Sequence, residues 1–170
     1  MNLPGPTLPQ RHLQPGELFV TREPQWVVTL LGSCVAVTMF SPRLRLSAIC
    51  HAMLPTPREK DAHGASLKSF RYVSHAIPAM TERFARHGLP PEEVEVKVFG
   101  GGNVIDMGGD SPDGRSIGRA NVALACELLR SARLRIRGGC VGGDSGCKIV
   151  FNTHSGEVLH RRLTRGGGRP

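Results

Sequence analysis

The chain has 170 residues and a formal net charge of +8, with 39% hydrophobic, 21% charged and 5% aromatic residues. This length corresponds to one domain, and the composition excludes a disordered charged tail. No apolar run approaches the roughly 18 residues that a membrane-spanning helix needs. The first residues lack a basic stretch followed by an apolar run, which predicts a cytoplasmic protein.

The two ends of the chain differ in composition from its centre. Four prolines fall within residues 1–16, and glycine and arginine dominate residues 164–170. We therefore expect a flexible N-terminal arm and a flexible C-terminal tail around a single domain at 17–163.

The first half of the predicted domain is rich in strand-forming residues. Apolar, β-branched runs at 26–31 and 34–40 are separated only by Gly32-Ser33, which indicates a strand, a tight turn and a second strand. Apolar and polar residues alternate at 44–51 and predict a third strand.

Helical and extended patterns then alternate. Apolar residues recur at steps of three and four between Ser66 and Gly88, which predicts a helix that Pro78 should kink or split. Alternating residues predict a strand at 94–98. A helix is expected from Ser116, a suitable N-cap, to about Ala132.

The last part of the domain reads as a strand around 134–136, followed by a hairpin of 148–152 and 157–163. The total of seven or eight strands and two main helices predicts the α+β class. Glycine 21 and proline 13 agree with many turns.

Cys34 is the first candidate for chemistry. It follows Gly32-Ser33 directly at the mouth of a predicted strand, where rigid backbone would hold the thiol outward. Backbone N–H groups around Gly32 and Ser33 could converge on one point, as an oxyanion hole requires. The alternative is that Cys34 is a small buried hydrophobic residue, as many free cysteines are.

His51 and Thr29 are the natural partners of this thiol. If 34–40 and 44–51 form an antiparallel hairpin, Cys34 at the start of one strand and His51 at the end of the other lie about 5 Å apart. A Cys–His nucleophile pair needs such proximity. A hydroxyl on Thr29, near the same end of the preceding strand, could orient the imidazole.

These residues carry a family resemblance. Thr29-Leu-Leu-Gly-Ser-Cys-Val-Ala-Val37 and His51-Ala-Met-Leu-Pro55 resemble the CheD family of bacterial chemoreceptor glutamine deamidases. Further matching stretches follow in family order: Arg71-Tyr72-Val73, Lys97 to Gly101 with Asn103, Ile117-Gly118-Arg119 with Asn121-Val122, Gly142 to Gly146, and Lys148 to Phe151.

The resemblance implies packed mixed β-sheets with helices on the outside, similar to the cytotoxic necrotising factor-like cysteine hydrolases. It implies Cys34 as nucleophile, His51 as base and Thr29 as the third member, with no metal or organic cofactor. It also implies chemoreceptor cytoplasmic domains as substrate and a CheC-type phosphatase as partner. The chain departs from the family at Cys147, where arginine is usual, and at Gly102.

Other kinds of site find less support. The five cysteines are too dispersed for a zinc site. The stretch Gly100 to Gly102 lacks the third glycine of a dinucleotide fingerprint, so we expect it to approach the active site closely through its backbone. The alternative function is an adaptor that binds chemoreceptors and the CheC phosphatase with little catalysis.

A basic C-terminal quarter raises a further alternative. Residues 130–170 hold nine Lys and Arg residues against two acidic ones, a net charge of +7. Such a face attracts nucleic acid or an acidic protein, or serves only solubility. Phe151 is the only aromatic residue there, so base stacking is poorly supplied and nucleic acid is not the expected partner.

Overall fold

The computed structural model describes residues 8–57, 70–103 and 116–163. Within them the strands are β1 Gln10–His12, β2 Leu18–Thr21, β3 Trp26–Leu31, β4 Val35–Ser41, β5 Leu46–Ala52, β6 Glu95–Gly100, β7 Ile136–Val141, β8 Cys147–Asn152 and β9 Val158–Arg162. The helices are α1 Val73–Ala85 and α2 Ile117–Ser131, with a short 3-10 helix at Pro91–Glu93.

The strands form two mixed sheets. The first has the order β1-β3-β8-β9, with β1 parallel to β3 and the other neighbours antiparallel. The second has the order β2-β5-β4-β6-β7, in which only β6 and β7 run parallel. The α+β class and the mixed sheets predicted from the sequence are therefore confirmed.

The two faces of the five-stranded sheet bury different cores. One face packs against α1 and α2 through a cluster that includes Val37, Ile77 and Leu129. The other face packs against the four-stranded sheet through a cluster that includes Ile49, Val27 and further apolar residues. The helices thus lie outside the sheet pair, as expected. None of the described helices is long and apolar enough to cross a membrane.

Two strands flank Gly32-Ser33 as predicted, but they do not form a hairpin. The strands β3 and β4 do not pair with each other, because β3 belongs to the four-stranded sheet and β4 to the five-stranded sheet. The short connection is a crossover between two packed sheets. Two apolar runs joined by a short turn can form either a hairpin or a crossover between sheets, so the local pattern could not distinguish these two arrangements.

The first helix begins later than its periodicity predicted. Tyr72 is extended and forms a parallel bridge with Leu54, and α1 starts at Val73. The predicted start at Ser66 lies outside the described residues. Pro78 does not split α1, which runs without a break from Val73 to Ala85 with the proline on an exposed face.

The second helix and the closing hairpin follow the prediction closely. The Ser116 hydroxyl caps α2 by accepting a hydrogen bond from the Arg119 N–H at 3.3 Å. The strands β8 and β9 pair antiparallel, with Phe151 opposite Val158. These elements depend on residues close in sequence, which is why the local pattern was sufficient.

The N-terminal segment contributes to the core. Its strand β1 pairs with β3, and Leu13 directly after it is buried between the sheets. Residues 10–13 of the predicted arm thus contact the sheets, through strand pairing and one buried apolar side chain that a proline-rich composition does not reveal. Residues 1–7 and the predicted tail at 164–170 lie outside the described residues.

Candidate functional site

Cys34 lies in the crossover between the sheets, one residue before β4 begins. Its side chain is half-buried and packs against the cluster between the sheets. The Cys34 carbonyl accepts a hydrogen bond from the Gly101 N–H at 2.8 Å, and the Gly32 carbonyl accepts one from the Gly102 N–H at 2.9 Å. The crossover is thus held by backbone bonds to the end of β6.

The glycines after β6 make this close approach possible. A Cβ on Gly100 would collide with the Cys34 carbonyl oxygen, and the φ angle of Gly100 is +98°. Only glycine adopts this conformation without strain and leaves the space free. The expectation that this glycine stretch approaches the Cys34 turn through its backbone is confirmed.

His51 lies on β5, on the face that looks toward the four-stranded sheet. It is opposite Ala36 in the β4–β5 ladder, and its side chain is only 2% exposed. Cys34 precedes Ala36 by two residues, so the pair is diagonal rather than directly opposite. Diagonal neighbours on one face, about 7–8 Å apart between backbones, stay within reach of long side chains.

Thr29 reaches His51 from the other sheet. It lies on β3 between Val27 and Leu31, which both face the cluster between the sheets. The Thr29 hydroxyl is 2.7 Å from His51 Nδ1 and 2.9 Å from the Leu13 carbonyl oxygen. The imidazole and the hydroxyl thus meet across the space between two sheets.

These contacts determine which imidazole nitrogen carries the proton. The single hydroxyl hydrogen of Thr29 is donated to the Leu13 carbonyl, which can only accept. His51 Nδ1 must therefore donate to the Thr29 oxygen, and Nε2 is left without a proton. Nε2 is buried and has no hydrogen-bond partner within the described residues. A bare, unpartnered Nε2 is the atom that a general base presents.

Burial disfavours the charged form of both Cys34 and His51. It lowers the pKa of His51 from 6.5 to about 4, while the Leu13 carbonyl acts in the opposite direction. Burial also raises the pKa of the Cys34 thiol, against the opposing effect of its own backbone N–H. Both shifts favour the uncharged form, the thiol of Cys34 and the neutral imidazole of His51.

The backbone N–H groups of Ser33 and Cys34 are available. Neither donates a hydrogen bond to another described residue, whereas the carbonyls of Gly32, Ser33 and Cys34 all accept one. The predicted backbone support from Gly32 and Ser33 stays a prediction. An oxyanion hole needs backbone N–H groups that are free to donate beside the thiol, and Ser33 and Cys34 offer such groups.

A cavity of about 270 Å³ opens beside the imidazole. Thr29 and His51 line its inner end, and Leu30 and Lys148 lie at its rim. Leu30 is 59% exposed, which is unusual for a large apolar side chain in a strand. This part of the surface combines an apolar group with a cation beside the candidate site.

The sequence did not indicate the parts played by Leu13 and Asn121. Leu13 supplies the carbonyl that orients the Thr29 hydroxyl. Asn121, on α2, donates from Nδ2 to the carbonyls of Ser33 and Met53. The signals for Asn121 were its place in a stretch that matches the family, with no role assigned, and its polar side chain on the otherwise apolar face of an amphipathic helix.

Cys140 and Cys147 share the apolar cluster between the sheets with Cys34, and Cys50 directly precedes His51. Cys147, at the position where arginine is usual in the family that the chain resembles, is buried opposite Leu31. Burial raises the pKa of the Cys147 thiol.

Arg162 donates to the Gly142 carbonyl at 2.7 Å and to Cys140 Sγ at 3.2 Å, so this arginine has a structural role.

Comparison with known proteins agrees with the resemblance. The family described as CheD chemotactic sensory transduction matches residues 53–162. The "Probable chemoreceptor glutamine deamidase CheD 2" of Geobacter sulfurreducens is 42% identical over 160 residues, 94% of each chain. A match of that length necessarily includes 29–51.

Two further proteins are similar to the chain. The "Probable chemoreceptor glutamine deamidase CheD" of Oleidesulfovibrio alaskensis is 44% identical over 92% of this chain and 74% of its own. The Bacillus licheniformis hypothetical protein YfiH, a solved structure, has a TM-score of 0.47 and 14% identity, covering 72% of this chain and 49% of its own. By the family match and the identity to its relatives, the chain belongs to the CheD family.

Proposed function

We propose that this protein hydrolyses glutamine side chains of chemoreceptor cytoplasmic domains to glutamate. Cys34 is the nucleophile, His51 the general base and Thr29 the orienting group. The observation that carries this proposal is the Thr29–His51 bond of 2.7 Å through Nδ1, which leaves a bare Nε2 on the face that also carries Cys34.

The reaction begins with proton transfer from Cys34 to His51 Nε2 as the sulfur attacks the side-chain carbonyl. A neutral amide is a poor electrophile, so stabilising the developing oxyanion is essential. The free N–H groups of Ser33 and Cys34 are the donors for this purpose. The imidazolium then returns its proton to the departing nitrogen, and ammonia leaves a thioester on Cys34.

Water completes the cycle. His51, neutral again, takes a proton from water as the water attacks the thioester carbonyl. The carbon–sulfur bond breaks, the thiol recovers its proton, and glutamate is released. Burial lowers the pKa of His51 to about 4, so the imidazole is unprotonated at neutral pH, as a base must be before it accepts a proton.

The substrate class is supported by the names of the relatives and by the surface beside the site. Exposed Leu30 and cationic Lys148 at the rim suit a protein substrate that carries acidic residues. We keep the CheC-type phosphatase as a proposed partner, on the family resemblance alone.

Intact-mass measurement of a chemoreceptor cytoplasmic fragment tests this function. Each event replaces an NH₂ group by OH, and peptide mapping then locates the converted glutamines. Wild-type protein should convert specific glutamines, and the Cys34→Ala variant should convert none. An unchanged fragment after prolonged incubation with wild-type protein would refute the proposal and favour the adaptor.

A further inference from the structure

Asn121 connects the two segments that carry the nucleophile and the base. It lies on α2 and is fully buried, with 0% exposure. Its Nδ2 donates to the Ser33 carbonyl at 3.0 Å and to the Met53 carbonyl at 2.9 Å. Ser33 directly precedes Cys34, and Met53 follows His51 by two residues.

The orientation of this amide is determined by its partners. Both partners are carbonyl oxygens, which only accept, so the NH₂ end must face them. Both N–H hydrogens are then used. Asn121 Oδ1 points away from both and has no partner among the described residues.

The amide extends the β4–β5 ladder beyond its last rung. The ladder ends with Val35 opposite Ala52, so the next rung would join Cys34 and Met53. Asn121 binds the carbonyls at this point, one on each chain segment. The Asn121 side chain therefore holds the segments at Ser33 and Met53 at a fixed distance, beyond the point where backbone hydrogen bonds join β4 and β5.

The bond to Ser33 has a second consequence. The Ser33 carbonyl and the Cys34 N–H belong to one planar, trans peptide unit, in which they point to opposite sides. A donor that holds the carbonyl on one side therefore aims the N–H to the other. Hydrogen bonding of the carbonyl also polarises the peptide unit and strengthens its N–H as a donor.

We propose that Asn121 is a positioning residue that aims the Cys34 N–H at the oxyanion of the tetrahedral intermediate. The proposal rests on the proposed function, because it concerns the same reaction. Asn121 forms no hydrogen bond with the Cys34 thiol or the His51 imidazole within the described residues. It acts through the peptide unit between Ser33 and Cys34.

The neighbouring peptide units are held in the same manner. Gly102 and Gly101 donate to the Gly32 and Cys34 carbonyls, so three consecutive carbonyls from Gly32 to Cys34 are bound. Only the middle bond comes from a side chain. It is therefore the one that a single substitution removes without altering the backbone.

The helix that carries Asn121 is seated by a glycine contact. A Cβ on Gly118 would lie 2.6 Å from the Gly101 carbonyl oxygen and 2.9 Å from that of Gly102. The first turn of α2 thus lies directly on the loop that binds the Cys34 turn. An alanine at 118 would move α2 away and lengthen the Asn121 bonds, although alanine favours helix.

The test compares two reactions of the same thiol. Deamidation forms an oxyanion, whereas alkylation of Cys34 by iodoacetamide displaces iodide at a saturated carbon and forms none. In Asn121→Ala we expect kcat for a receptor fragment to fall about ten- to a hundredfold with little change in KM, since losing one oxyanion donor outright costs 10²–10³. The rate of Cys34 alkylation should stay close to that of the wild type.

Leu129→Ala is the matched control. Leu129 is buried on the same helix, and its truncation lowers Tm without touching the Cys34 turn. It should keep wild-type kcat well below its Tm. A kcat loss in Leu129→Ala equal to that in Asn121→Ala, or a parallel loss of alkylation in Asn121→Ala, would reduce Asn121 to a structural role and overturn the proposal.

Gly118→Ala decides the matter if Asn121→Ala does not fold. Like Asn121→Ala, it should lower kcat for deamidation while the rate of Cys34 alkylation stays close to that of the wild type. Wild-type kcat in either folded variant would overturn the inference and leave the proposed function intact. Failure of the wild-type protein to deamidate the fragment would refute the proposed function itself.

Discussion

Thr29→Val replaces the hydroxyl that orients His51 by a methyl group of similar volume. Thr29 is 4% exposed, so water cannot take the place of the hydroxyl without rearrangement. The variant leaves two buried groups unpaired, the Leu13 carbonyl and His51 Nδ1–H. Each unsatisfied group costs about 1–3 kcal/mol, so we expect a clear decrease in the free energy of unfolding.

The effect on catalysis follows from the change in charge of His51. The Thr29 oxygen accepts from a neutral imidazole in the resting protein and from an imidazolium in the transition state. A hydrogen bond contributes about 0.5–1.5 kcal/mol when neutral and about 1.5–3 kcal/mol when one partner is charged. The difference, about 1–2 kcal/mol, corresponds to a decrease in kcat of about five- to thirtyfold.

The assay is kcat for deamidation of a receptor fragment, followed by intact mass, in wild type, Thr29→Val and Thr29→Ser. The serine variant keeps the hydroxyl and should stay near wild type, which separates the hydrogen bond from packing. An unchanged kcat in Thr29→Val would refute the orienting role. A loss as complete as that of His51→Ala would also refute it, because it would require a direct part in the chemistry.

Four further predictions follow from the same geometry. Cys34→Ala should abolish deamidation with little change in Tm; measurable turnover in the intact-mass assay would contradict the nucleophile assignment. Burial lowers the pKa of His51 from 6.5 to about 4, so the unfolded chain binds a proton that the native state resists, and stability should fall as the pH drops from 6.5 toward 4; urea unfolding at several pH values should show this loss, and His51→Gln should remove it. Gly100→Ala should lower both Tm and kcat, since its Cβ meets the Cys34 carbonyl at a positive φ; an unchanged Tm would contradict the close approach. The double variant Lys148→Gln/Arg161→Gln should lower kcat/KM on the receptor at low salt and weaken the dependence of kcat/KM on salt. A short glutamine peptide is the control substrate. Wild-type kinetics at every salt concentration would leave the basic surface with a role in solubility only.

Arg161 and Lys148 are the suitable pair for this last test. They lie opposite each other on β9 and β8, and Lys148 also pairs with exposed Leu30. Arg162 is unsuitable, because its bonds to Gly142 and Cys140 would make any loss ambiguous. Arg165 lies outside the described residues.

Short-range patterns were sufficient for much of this fold. The capped start of α2, the β8–β9 hairpin and the strands around Cys34 and His51 were all predicted, because their signals are local. A cap needs a residue three positions away, and a hairpin needs only adjacent strands and a turn. The thiol and the histidine could be proposed together for the same reason, since β4 and β5 are consecutive in the chain.

The tertiary structure alone decided how Leu13 and Asn121 relate to this pair, and that Thr29 reaches His51 from the other sheet. The Gly32-Ser33 connection permits a hairpin or a crossover between sheets, and only packing of the two sheets selects the crossover. Asn121 reaches Ser33 across 88 positions of sequence. A hydrogen bond over such a separation leaves no periodic trace in the chain, because hydrophobic periodicity reports which face is buried and not what that face meets.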